Sequence, residues 1–555
     1  MPVMPGFFGG EDIQRSLNLS DNRCINLYPT TNDSGTVTGL ITTPGLSLYS
    51  TIPGSIIASG IYTASNGRCF MTAGTTLYEI TSGGALTSRG TITSSSVARM
   101  SDNGIEMIIV NGIDGWLYTF DTNVLAKISV VQLAFTVTLA TPAVFSTAVV
   151  HNLNVGDKIR LTTTGALPTG LATLTDYYVI AAGFGASSFQ VSLTPAGAAV
   201  NTSGAQSGVH TLTSSGYGFP NGSKTVSYIN GRFVACAPNT QAFYVSDVLM
   251  GVNWNPLNVQ TVDSNPDYLI GGIASHNELI MFCEQSGEVF YDSGTVPSPF
   301  VRNVSGVFEV GCIAPYSIAK IDNSVMWLGK STTGQGIIYR LNGYTPARMS
   351  TYSIEYAIQS MTVITDAIAF TYQQDGHHFY VLTFPTGNRT FVFDVNTQLW
   401  HERAGFAGGL LKRWEAQEYA FFDNKHLVCD FEEGKIYYLN LDAYLDGIET
   451  HKWIRSWRAP PSDMKRAIHH KLTLEAEVGV GLQGGVTPTV MLKYSNDGGH
   501  TWSADNWRDM GIGAAGEYSK RVFWHRLGMT TGQPRIYELS GTAPVKTMLL
   551  NAYLE

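Results

Sequence analysis

The neighbouring titratable side chains of this chain include two histidine pairs and one acidic run, and such groups are where metal binding or acid–base chemistry would begin. They are His377-His378, His469-His470 and the acidic run Asp430 to Glu433. Two histidines can share a metal ion, and two carboxylates can act as general acid and base. Consecutive residues of a strand point to opposite faces, however, and acidic residues beside a glycine are typical of a solvated turn. These pairs therefore predict no metal site and no catalytic pair.

Two further chemical patterns are incomplete. Gly329-Lys330-Ser331-Thr332 ends as a phosphate-binding loop does, but that loop needs a glycine five residues before its Gly-Lys pair, where this chain has Ser324. The segment lies between two strand-like stretches, so a hairpin turn is predicted. No Gly-x-Ser-x-Gly nucleophile elbow occurs. The sequence predicts a protein that is not an enzyme and has no cofactor.

One motif is complete. Residues 495–502 fit the Asp-box pattern Ser-x-Asp-x-Gly-x-Thr-Trp, with Ser495, Asp497, Gly499 and Trp502 as its key positions. The Asp and Ser side chains would bond turn amides, glycine would allow a positive φ, and Trp would pack beneath the hairpin. Asp boxes occur in the propellers of sialidases, which raises a glycosidase hypothesis. A single box outside the repeated part of the chain favours the hairpin role.

Basic and aromatic residues near the C-terminus are the best candidates for a binding surface. The candidate interface residues are Lys452, Trp453, Arg455, Trp457, Arg458, Lys465, Arg466, Lys520, Arg521 and Arg526. Arg and Trp are enriched at the centres of protein interfaces, so contact with a subunit or partner is favoured over sequence-specific reading of nucleic acid. The alternative is that strand alternation simply leaves half of these side chains facing solvent.

The composition predicts a nearly all-β protein. Gly numbers 58, charged residues make up 14% of the chain, and Thr, Ser, Val and Tyr are abundant. Residues 450–555 carry 13 Lys+Arg against 9 Asp+Glu, whereas residues 1–449 carry 21 against 34. An acidic body would repel nucleic acid, and a mildly basic end could meet an acidic protein face. Ordinary solvated surfaces remain the alternative.

The cysteines and the apolar segments indicate where the chain folds. Six cysteines, Cys24, Cys69, Cys236, Cys283, Cys312 and Cys429, are far apart and form no metal-binding motif. Buried thiols are predicted, as suits a reducing cytoplasm. The N-terminus does not resemble a secretory signal, and the most apolar region, residues 130–150, is interrupted by polar residues and proline. No membrane insertion is expected.

A phrase of apolar residues ending in an aromatic residue recurs along the chain. Its final residues are Tyr78, Tyr118, Tyr244, Tyr291, Tyr339, Phe393 and Tyr438. Apart from one long gap, the spacing is 40 to 54 residues, which matches a four-stranded propeller blade. Tyrosine also favours strands in any all-β protein. The phrases predict a β-propeller of six or seven blades.

The long gap contains an insertion. Residues 132–214 have only four charged side chains, Asp157, Lys158, Arg160 and Asp176, and several short strand patterns. A small β-domain projecting from a blade loop is predicted, because long insertions in surface loops cost little closure entropy. The expected organisation is an N-terminal segment (1–49) that partly joins a platform, a first propeller part (50–131), the insertion (132–214), the propeller remainder (215–449) and a β-sandwich platform (450–555).

Several segments resemble the tail hub or nozzle proteins of short-tailed bacteriophages, a family of packaged-DNA stabilisation proteins. They are Ser246-Asp247 with Trp254 and Pro256-Leu257, residues 339–344 with 348–351, residues 390–394 with 400–403, residues 494–502 and residues 516–528. Together they span about 240 to 530, and the N-terminal part fits more loosely. The insertion at 132–214 departs from the family.

The resemblance implies a structural protein of the virion tail, assembled in the host cytoplasm. It implies a homohexameric ring below the portal and its adaptor ring, which extends the DNA conduit, retains the packaged genome and supports tail fibre, spike or plug proteins. Passing double-stranded DNA would be a transient partner. The alternative function is a carbohydrate-binding or glycoside-hydrolase propeller that acts on a host surface polysaccharide, which would need two carboxylates in a cleft.

Overall fold

The computed structural model describes residues 6–15, 21–32, 35–295, 298–460, 465–480, 487–512 and 516–555. Parts of the expected N-terminal segment and platform lie outside these ranges. In the described ranges the fold is nearly all-β, with one α-helix, α1 (Tyr352–Gln359), and three short 3-10 helices, Pro53–Ser55, Val304–Gly306 and Pro315–Ser317. No helix among these residues is both long and apolar enough to cross a membrane.

The chain forms two compact units. The platform unit comprises Met1–Ile61, Thr81–Ala85 and Val310–Glu555, and the blade unit comprises Tyr62–Ile80 and Leu86–Glu309. The propeller remainder expected at 215–449 is thus divided between the two units near residue 310. Each unit is described separately below.

The N-terminal strands belong to the platform unit. They are β1 (Asp12–Ile13), β2 (Asp21–Asn22), β3 (Cys24–Ile25), β4 (Leu27–Thr31), β5 (Val37–Thr42) and β6 (Gly45–Thr51). Strands β4 and β5 lie in one sheet with C-terminal strands of the sandwich. Strand β6 instead pairs with a strand of the last propeller sheet.

Four sheets of the propeller type lie mainly in the blade unit, each an antiparallel meander of four strands. The first two are β7 (Ala58–Thr63), β8 (Cys69–Ala73), β9 (Thr76–Ile80), β10 (Leu86–Thr91), and β11 (Arg99–Asp102), β12 (Glu106–Val110), β13 (Gly115–Thr119), β14 (Val124–Lys127). A closed barrel follows, formed by β15 (Gln132–Val137), β16 (Phe145–Thr147), β17 (Lys158–Thr163), β18 (Tyr177–Ile180), β19 (Ser188–Ser192) and β20 (His210–Ser214). The barrel therefore occupies the stretch that composition marked as an insertion.

The remaining two sheets of the blade unit follow the barrel. They are β21 (Val226–Ile229), β22 (Arg232–Cys236), β23 (Ala242–Asp247), β24 (Met250–Thr261), and β25 (Leu269–Ser275), β26 (Glu278–Cys283), β27 (Gly287–Asp292), β28 (Phe300–Arg302). Strand β12 shows why these sheets stack: Met107 and Ile109 face one hydrophobic cluster, and Ile108 and Val110 face another. A strand buried on both faces requires a continuous apolar run, and β12 and β26 have one.

Three more such sheets lie in the platform unit. Their strands are β29 (Gly311–Cys312), β30 (Ala319–Ile321), β31 (Ser324–Ser331), β32 (Gly334–Asn342), β33 (Thr345–Arg348); then β34 (Ile368–Gln374), β35 (His377–Phe384), β36 (Arg389–Asp394), β37 (Leu399–Ala407) with β38 (Leu410–Arg413); then β39 (Ala416–Phe422), β40 (Lys425–Asp430), β41 (Lys435–Asn440), followed by β42 (Leu445–Asp446) and β43 (Glu449–Thr450). Strand β6 completes the last sheet beside β41. The described residues therefore form seven sheets of the blade type, at the upper end of the expected six or seven.

The C-terminal strands build a two-layer sandwich. They are β44 (Trp453–Arg458), β45 (Ile468–Ala476), β46 (Thr489–Ser495), β47 (Asn506–Asp509), β48 (Val522–Met529), β49 (Ile536–Gly541) and β50 (Met548–Leu554). One layer, β44-β49-β46-β47, continues the sheet of β34–β37 through β3, and the other has the order β4-β5-β50-β45-β48. Their shared core includes Trp457, Leu472, Trp524 and Leu539.

Candidate functional site

The Asp-box hairpin satisfies its own polar groups. The Ser495 hydroxyl donates to Asp497 (2.7 Å) and accepts from the Gly499 amide (2.8 Å), while the Thr501 amide and hydroxyl both donate to Asp497. These bonds, those from Thr501 first, hold the pKa of Asp497 well below its usual range. The indole of Trp502 donates to the Gly499 carbonyl (3.0 Å). Since both carboxylate oxygens accept bonds within the hairpin, the arrangement stabilises a turn.

Three of the expected interface residues lie in the core instead. Trp453, Arg455 and Trp457 are 2%, 0% and 0% exposed. Strand β44 is a central strand between β3 and β49, and five of its six residues are buried because both of its faces are covered. The assumption that alternation would bring these side chains to a surface therefore fails. They cannot contribute to the expected interface.

Arg455 makes hydrogen bonds within the chain that the sequence did not reveal. Its guanidinium donates to the carbonyls of Phe7 (2.9 Å), Gly6 (2.9 Å), Arg23 (3.2 Å) and Gly10 (3.4 Å). The N-terminal segment is thereby wrapped around one buried cation. Since a buried charge is tolerated only when it is well bonded, this cage is what allows Arg455 to remain inside the platform unit.

Glu11 extends the same junction. Its carboxylate accepts from the Cys24 amide (2.6 Å), and it lies 3.7 Å from Arg389, which forms a two-bond pair with Glu402. Burial, with a smaller contribution from Glu402, raises the pKa of Glu11 to about 7, against the opposing effect of Arg389. Glu11 thus links the N-terminal segment to Arg389 of β36, and burial makes the ionised form of Glu11 less favourable.

The other expected interface residues differ in accessibility. Lys465, Arg466, Arg521 and Arg526 are exposed, whereas Lys452, Arg458 and Lys520 are half-buried. The Lys452 ammonium lies over the Phe406 ring (4.7 Å), and Lys520 pairs with Asp509 (2.5 Å) and Glu517 (3.5 Å). Lys452 and Lys520 therefore make contacts within the chain.

Strands β45 and β48 place an exposed apolar pair near two of the exposed cations. Ile468 and Met529 are directly opposite in the register and are 58% and 51% exposed. The Thr530 amide bonds the Ala467 carbonyl (2.8 Å), which brings Arg466 to the same end, and Arg526 lies three residues before Met529 on β48. We call Arg466, Ile468, Arg526 and Met529 the platform patch. An apolar centre with a basic rim suits an acidic protein surface.

The histidine pairs do not assemble a metal site. His377 Nδ1 lies 2.8 Å from the buried Asp394 carboxylate, whereas His378 is only half-buried. His469 Nδ1 lies 2.6 Å from the Tyr537 hydroxyl, and burial lowers the pKa of His469 to about 4, while His470 is exposed. In the described part of the chain, no group of three His, Cys, Asp or Glu residues could hold a metal ion.

Lysines form ion pairs with the acidic run near residue 430. Glu432 pairs with Lys412 (2.5 Å) and Glu433 with Lys435, while Asp430 accepts from the Glu432 amide (2.7 Å). Lys412 also lies 3.5 Å from Glu415 and 3.4 Å from Glu449. Burial, followed by the charge of Asp446, raises the pKa of Glu415 to about 8. The run contributes to a structural ion cluster around Lys412.

The other chemical candidates are also structural. Ser331 and Gly334 are opposite each other at the β31–β32 hairpin, so the Gly329–Thr332 segment belongs to a strand and its turn. No disulfide joins any of the six cysteines, all of which are described and buried, and this confirms the prediction of buried thiols. Burial raises the pKa of Cys24, Cys69, Cys236 and Cys312 to about 12, so these thiols stay protonated.

Sequence reasoning missed the residues that join distant parts of the platform unit. The Asn26 side chain donates to the carbonyls of Ala404 (2.6 Å) and Lys452 (2.8 Å) and accepts from the Ala404 amide (3.0 Å). The buried Arg403 donates to the Pro44 carbonyl (2.7 Å) and lies over the Trp414 ring (3.5 Å). Their hydrogen-bond partners are hundreds of positions away, so no local pattern could have identified them.

Two family models match the chain, one after the other. Residues 4–143 and 196–444 match the model described as bacteriophage P22 Gp10, beta-propeller, and residues 452–555 match bacteriophage P22 Gp10, beta-sandwich. The unmatched residues 144–195 fall inside the barrel. The two models together cover well over half of the chain, in the order in which blades and sandwich occur in the structure.

Solved structures that resemble this chain are distant. The N-terminal domain of Nup159 is 7% identical with a TM-score of 0.37, covering 75% of this chain and 99% of that one. A streptogramin B lyase is 8% identical with a TM-score of 0.27, covering 61% and 94%. Among curated proteins no match was found. The two family models carry the assignment: this chain belongs to the bacteriophage P22 Gp10 family of phage tail structural proteins, with a β-propeller followed by a β-sandwich.

Proposed function

We propose that six copies of this chain form a ring in a short phage tail, below the portal and its adaptor ring. The observation that carries this proposal is the match of both the propeller and the sandwich to one tail protein family, in the same order along the chain. The ring extends the DNA conduit, helps to retain the packaged genome and supports fibre, spike or plug proteins. It is assembled in the host cytoplasm and remains in the virion tail.

The charge distribution supports a conduit role for the propeller. Residues 233–301 contain seven carboxylates and no Lys or Arg. An acidic wall would let the DNA polyanion slide without adhering to it. Substituting Asp263 and Asp292 with lysine should therefore slow DNA ejection from assembled particles. Unchanged ejection kinetics, or a predominantly basic channel in a ring reconstruction, would contradict this assignment.

The platform patch supports contact with the adaptor. Its exposed Ile468 and Met529, flanked by Arg466 and Arg526, have the composition of an interface centre with a basic rim. Deleting the sandwich is a poor test, because β44 continues the sheet of β34–β37 and its removal would expose a buried edge. Arg466→Glu with Arg526→Glu should weaken adaptor binding by about tenfold or more, since each charge reversal opposes an acidic partner. Lys224→Glu, at an exposed position of the blade unit, is the matched control.

The ring itself is tested by negative-stain imaging of the purified chain, alone and mixed with the portal–adaptor complex. Six-fold rings with a bore wide enough for duplex DNA, seated on the adaptor, are expected in the mixture. The chain alone can remain monomeric, because tail components often assemble only on a template. A mixture with no rings would overturn the proposal, and isolated discs that bind a polysaccharide would favour the carbohydrate-active alternative.

A further inference from the structure

A polar pocket lies within the blade unit, where the barrel meets the sheet β21–β24. Its volume is about 250 Å³. The barrel contributes residues of β17 and β20 together with Asp176, the chain that leaves the barrel contributes Ser215 and Tyr217, and the sheet contributes Asp247 and residues 253–256. We call this space the junction pocket. Binding sites are common at such junctions between folded parts of a chain.

Backbone hydrogen bonds hold the walls of the junction pocket together. The Ser215 amide donates to the Lys158 carbonyl (2.8 Å). The Trp254 amide donates to the Ser215 carbonyl (2.7 Å), and the Trp254 carbonyl accepts from the Gly218 amide (2.9 Å). A Cβ on Gly218 would lie only 2.6 Å from the Pro256 nitrogen, so the two segments are closely packed. The pocket is therefore preformed, and preorganisation lowers the entropic cost of binding.

The charges that line the junction pocket balance one another. Lys158 and Arg160 are its cations, and Asp176 and Asp247 are its anions. Arg160 Nε donates to the Asp176 carboxylate (2.5 Å), and Lys158 Nζ lies 3.5 Å from the same group. The hydrogen bond with Asp176, with a smaller contribution from the charge of Asp247, raises the pKa of Arg160. Because the cations are already matched by carboxylates, the pocket favours an uncharged ligand over phosphate or another small anion.

Three polar groups of the junction pocket have hydrogen-bonding capacity that the chain does not use. Asn253 Oδ1 is buried and has no partner among the residues that the structure describes. Asp247 Oδ1 accepts from the Asn258 amide group (3.3 Å), whereas Asp247 Oδ2 accepts no hydrogen bond from a described residue. The Tyr217 hydroxyl forms none with the described part of the chain either. A buried acceptor without a partner costs free energy, and a ligand hydroxyl would satisfy it.

These groups match the chemistry of a sugar. Each hydroxyl of a sugar can both donate and accept, so a sugar can donate to Asp247 and Asn253 and accept from Tyr217. The C–H groups of a sugar ring need apolar surface, which the Tyr217 ring and Pro256 supply. Pockets that hold drug-sized ligands have volumes of roughly 300 to 1,000 Å³. The smaller junction pocket therefore suits a single sugar ring.

We propose that the junction pocket binds one uncharged sugar residue of a glycan. Asp247 and Asn253 accept hydrogen bonds from its hydroxyls, and Tyr217 donates one. The charged residues that the barrel contributes, Lys158, Arg160 and Asp176, all belong to the stretch that the propeller family model leaves out, so the barrel adds this site to the family fold. Sugar binding goes beyond the proposed ring and does not depend on it, because one copy of the chain holds the whole pocket.

Saturation-transfer difference NMR on the full-length chain tests the site. The probes are the methyl glycosides of glucose, galactose, mannose, rhamnose and N-acetylglucosamine. Each is used at millimolar concentration, because a single ring makes few contacts and binds weakly. We expect saturation transfer to at least one of these sugars. Inorganic phosphate and glucuronic acid are added as charged competitors, and at equal concentration they should leave the signal of the bound sugar unchanged.

Two variants locate the bound sugar. Tyr217→Phe removes only a hydroxyl that bonds no described residue, so affinity should fall by about fivefold while the melting temperature holds. Asp247→Asn keeps an acceptor for Asn258 but removes the charge, so affinity should fall by about tenfold or more, since hydrogen bonds to carboxylates are the stronger kind. The matched controls are Tyr228→Phe at a half-buried position and Asp121→Asn at an exposed one, both in the blade unit outside the pocket. Neither control should change the affinity.

Three results would overturn the sugar site: no saturation transfer to any of the probes, displacement of the sugar by either charged competitor, or equal losses of affinity in the two variants and their controls. The two proposals fail separately. If the wild-type chain forms six-fold rings on the portal–adaptor complex but binds none of the probes, the ring stands and the sugar site is wrong. If the variants lose sugar binding as expected but no ring appears, the sugar site stands and the tail ring is wrong.

Discussion

At the residue scale, a charged residue that the sequence placed at an interface is buried and bonds within the chain. Arg455 was expected at an interface and is instead fully enclosed by four carbonyls of the N-terminal segment. Its position among Trp453 and Trp457 looked like an interface cluster because Arg and Trp are enriched at interface centres and in cores alike. The residue types indicated a cluster of contacts. Whether these side chains are exposed depends on β3, a strand more than 400 positions earlier in the chain that covers one edge of β44.

Removing the Arg455 charge should therefore destabilise the platform unit. Arg455→Met leaves four buried backbone carbonyls without their donor, so we expect the free energy of unfolding to fall by about 3 kcal/mol or more. Denaturant unfolding followed by tryptophan fluorescence measures the change. Arg526→Met, at an exposed position, is the control and should shift stability by less than about 0.5 kcal/mol. Similar losses in both variants would disprove the structural role of the Arg455 cage.

Buried acids and histidines should give the platform unit a stability maximum in mildly acidic solution. The pKa of Glu11 is raised to about 7 and that of Glu415 to about 8, so the stability these groups contribute is present below pH 4.5 and is lost as pH rises through those values. Burial lowers the pKa of His401 to about 3 and of His469 to about 4, so their contribution is present above pH 6.5 and is lost as pH falls toward those values. The melting temperature should peak between about pH 4.5 and 6.5.

Glu415→Gln separates the two limbs of this profile. The variant has no carboxyl to ionise, so its stability should exceed that of the wild-type chain at pH 8 and match it near pH 5. The acidic limb, which depends on His401 and His469, should not move. Parallel profiles for the variant and the wild-type chain between pH 5 and 8 would show that Glu415 does not titrate as described. Calorimetric melting at five or six pH values is sufficient.

At the element scale, the recurring aromatic phrase identifies one strand of each blade. Its seven final residues lie in β9, β13, β23, β27, β32, β36 and β41, which are the third strands of the seven sheets when β30 to β33 are counted as one meander. The sequence was therefore able to indicate the period and the number of sheets. It could not show that β6 supplies the fourth strand of the last sheet, because that pairing joins residues near 45 to residues near 440.

A second periodic signal was overlooked. The turn between the first two strands of each blade contains Asn66-Gly67, Asn103-Gly104, Asn230-Gly231, His276-Asn277, Asp322-Asn323, Asp375-Gly376 or Asp423-Asn424. In the last five, both residues have positive φ, as tight hairpins of the primed type require. These dipeptides repeat with the blade and are a sharper marker than tyrosine, because the backbone conformation restricts which residues fit.

The conformational demand at these turns can be measured. Gly376 has a φ of 77° with open space around it, so Gly376→Ala meets no steric neighbour and its cost comes from the backbone alone. We expect a loss of about 1 to 2 kcal/mol in unfolding free energy. Gly334→Ala is the matched control, because Gly334 also has open space but no positive φ. Equal effects of the two variants on the unfolding midpoint would contradict the argument.

At the scale of the whole molecule, the compact units of the structure differ from the segments that the composition predicted. The sequence predicted five segments. One of them, the low-charge stretch, corresponds to the barrel at Gln132–Ser214, which has a small hydrophobic core of its own. One family model ends at 444 and the next begins at 452, close to the expected boundary, and the sheet nevertheless continues across it, since β44 extends the sheet of β34–β37 through the N-terminal strand β3. Long-range pairing of this kind depends on register and on buried polar partners such as Asn26, which composition does not report.

The barrel should be removable without loss of the propeller. Its two ends are already adjacent, because β15 pairs with β20 and Gln132 is opposite Thr213. The barrel also has its own core, which includes Phe145, Ile159, Leu161 and Leu212, and the propeller family model leaves out residues 144–195, which are most but not all of the barrel. Replacing residues 132–214 with two glycines should therefore leave a soluble chain whose melting temperature falls by only a few degrees, the loss coming from barrel contacts near Trp254.

The isolated barrel, residues 130–216, should fold as well, with the dispersed amide NMR spectrum of a β-protein. Removing the four-stranded sheet β21–β24 is the matched control. That sheet is packed on both faces, with Phe233 and Ala235 on one side and Val234 and Phe243 on the other, so its deletion should leave no folded blade unit. If the barrel deletion unfolds the blade unit as completely as the sheet deletion does, the barrel is an integral part of the propeller. A folded deletion variant that still forms rings on the portal–adaptor complex would place the barrel's function outside ring assembly.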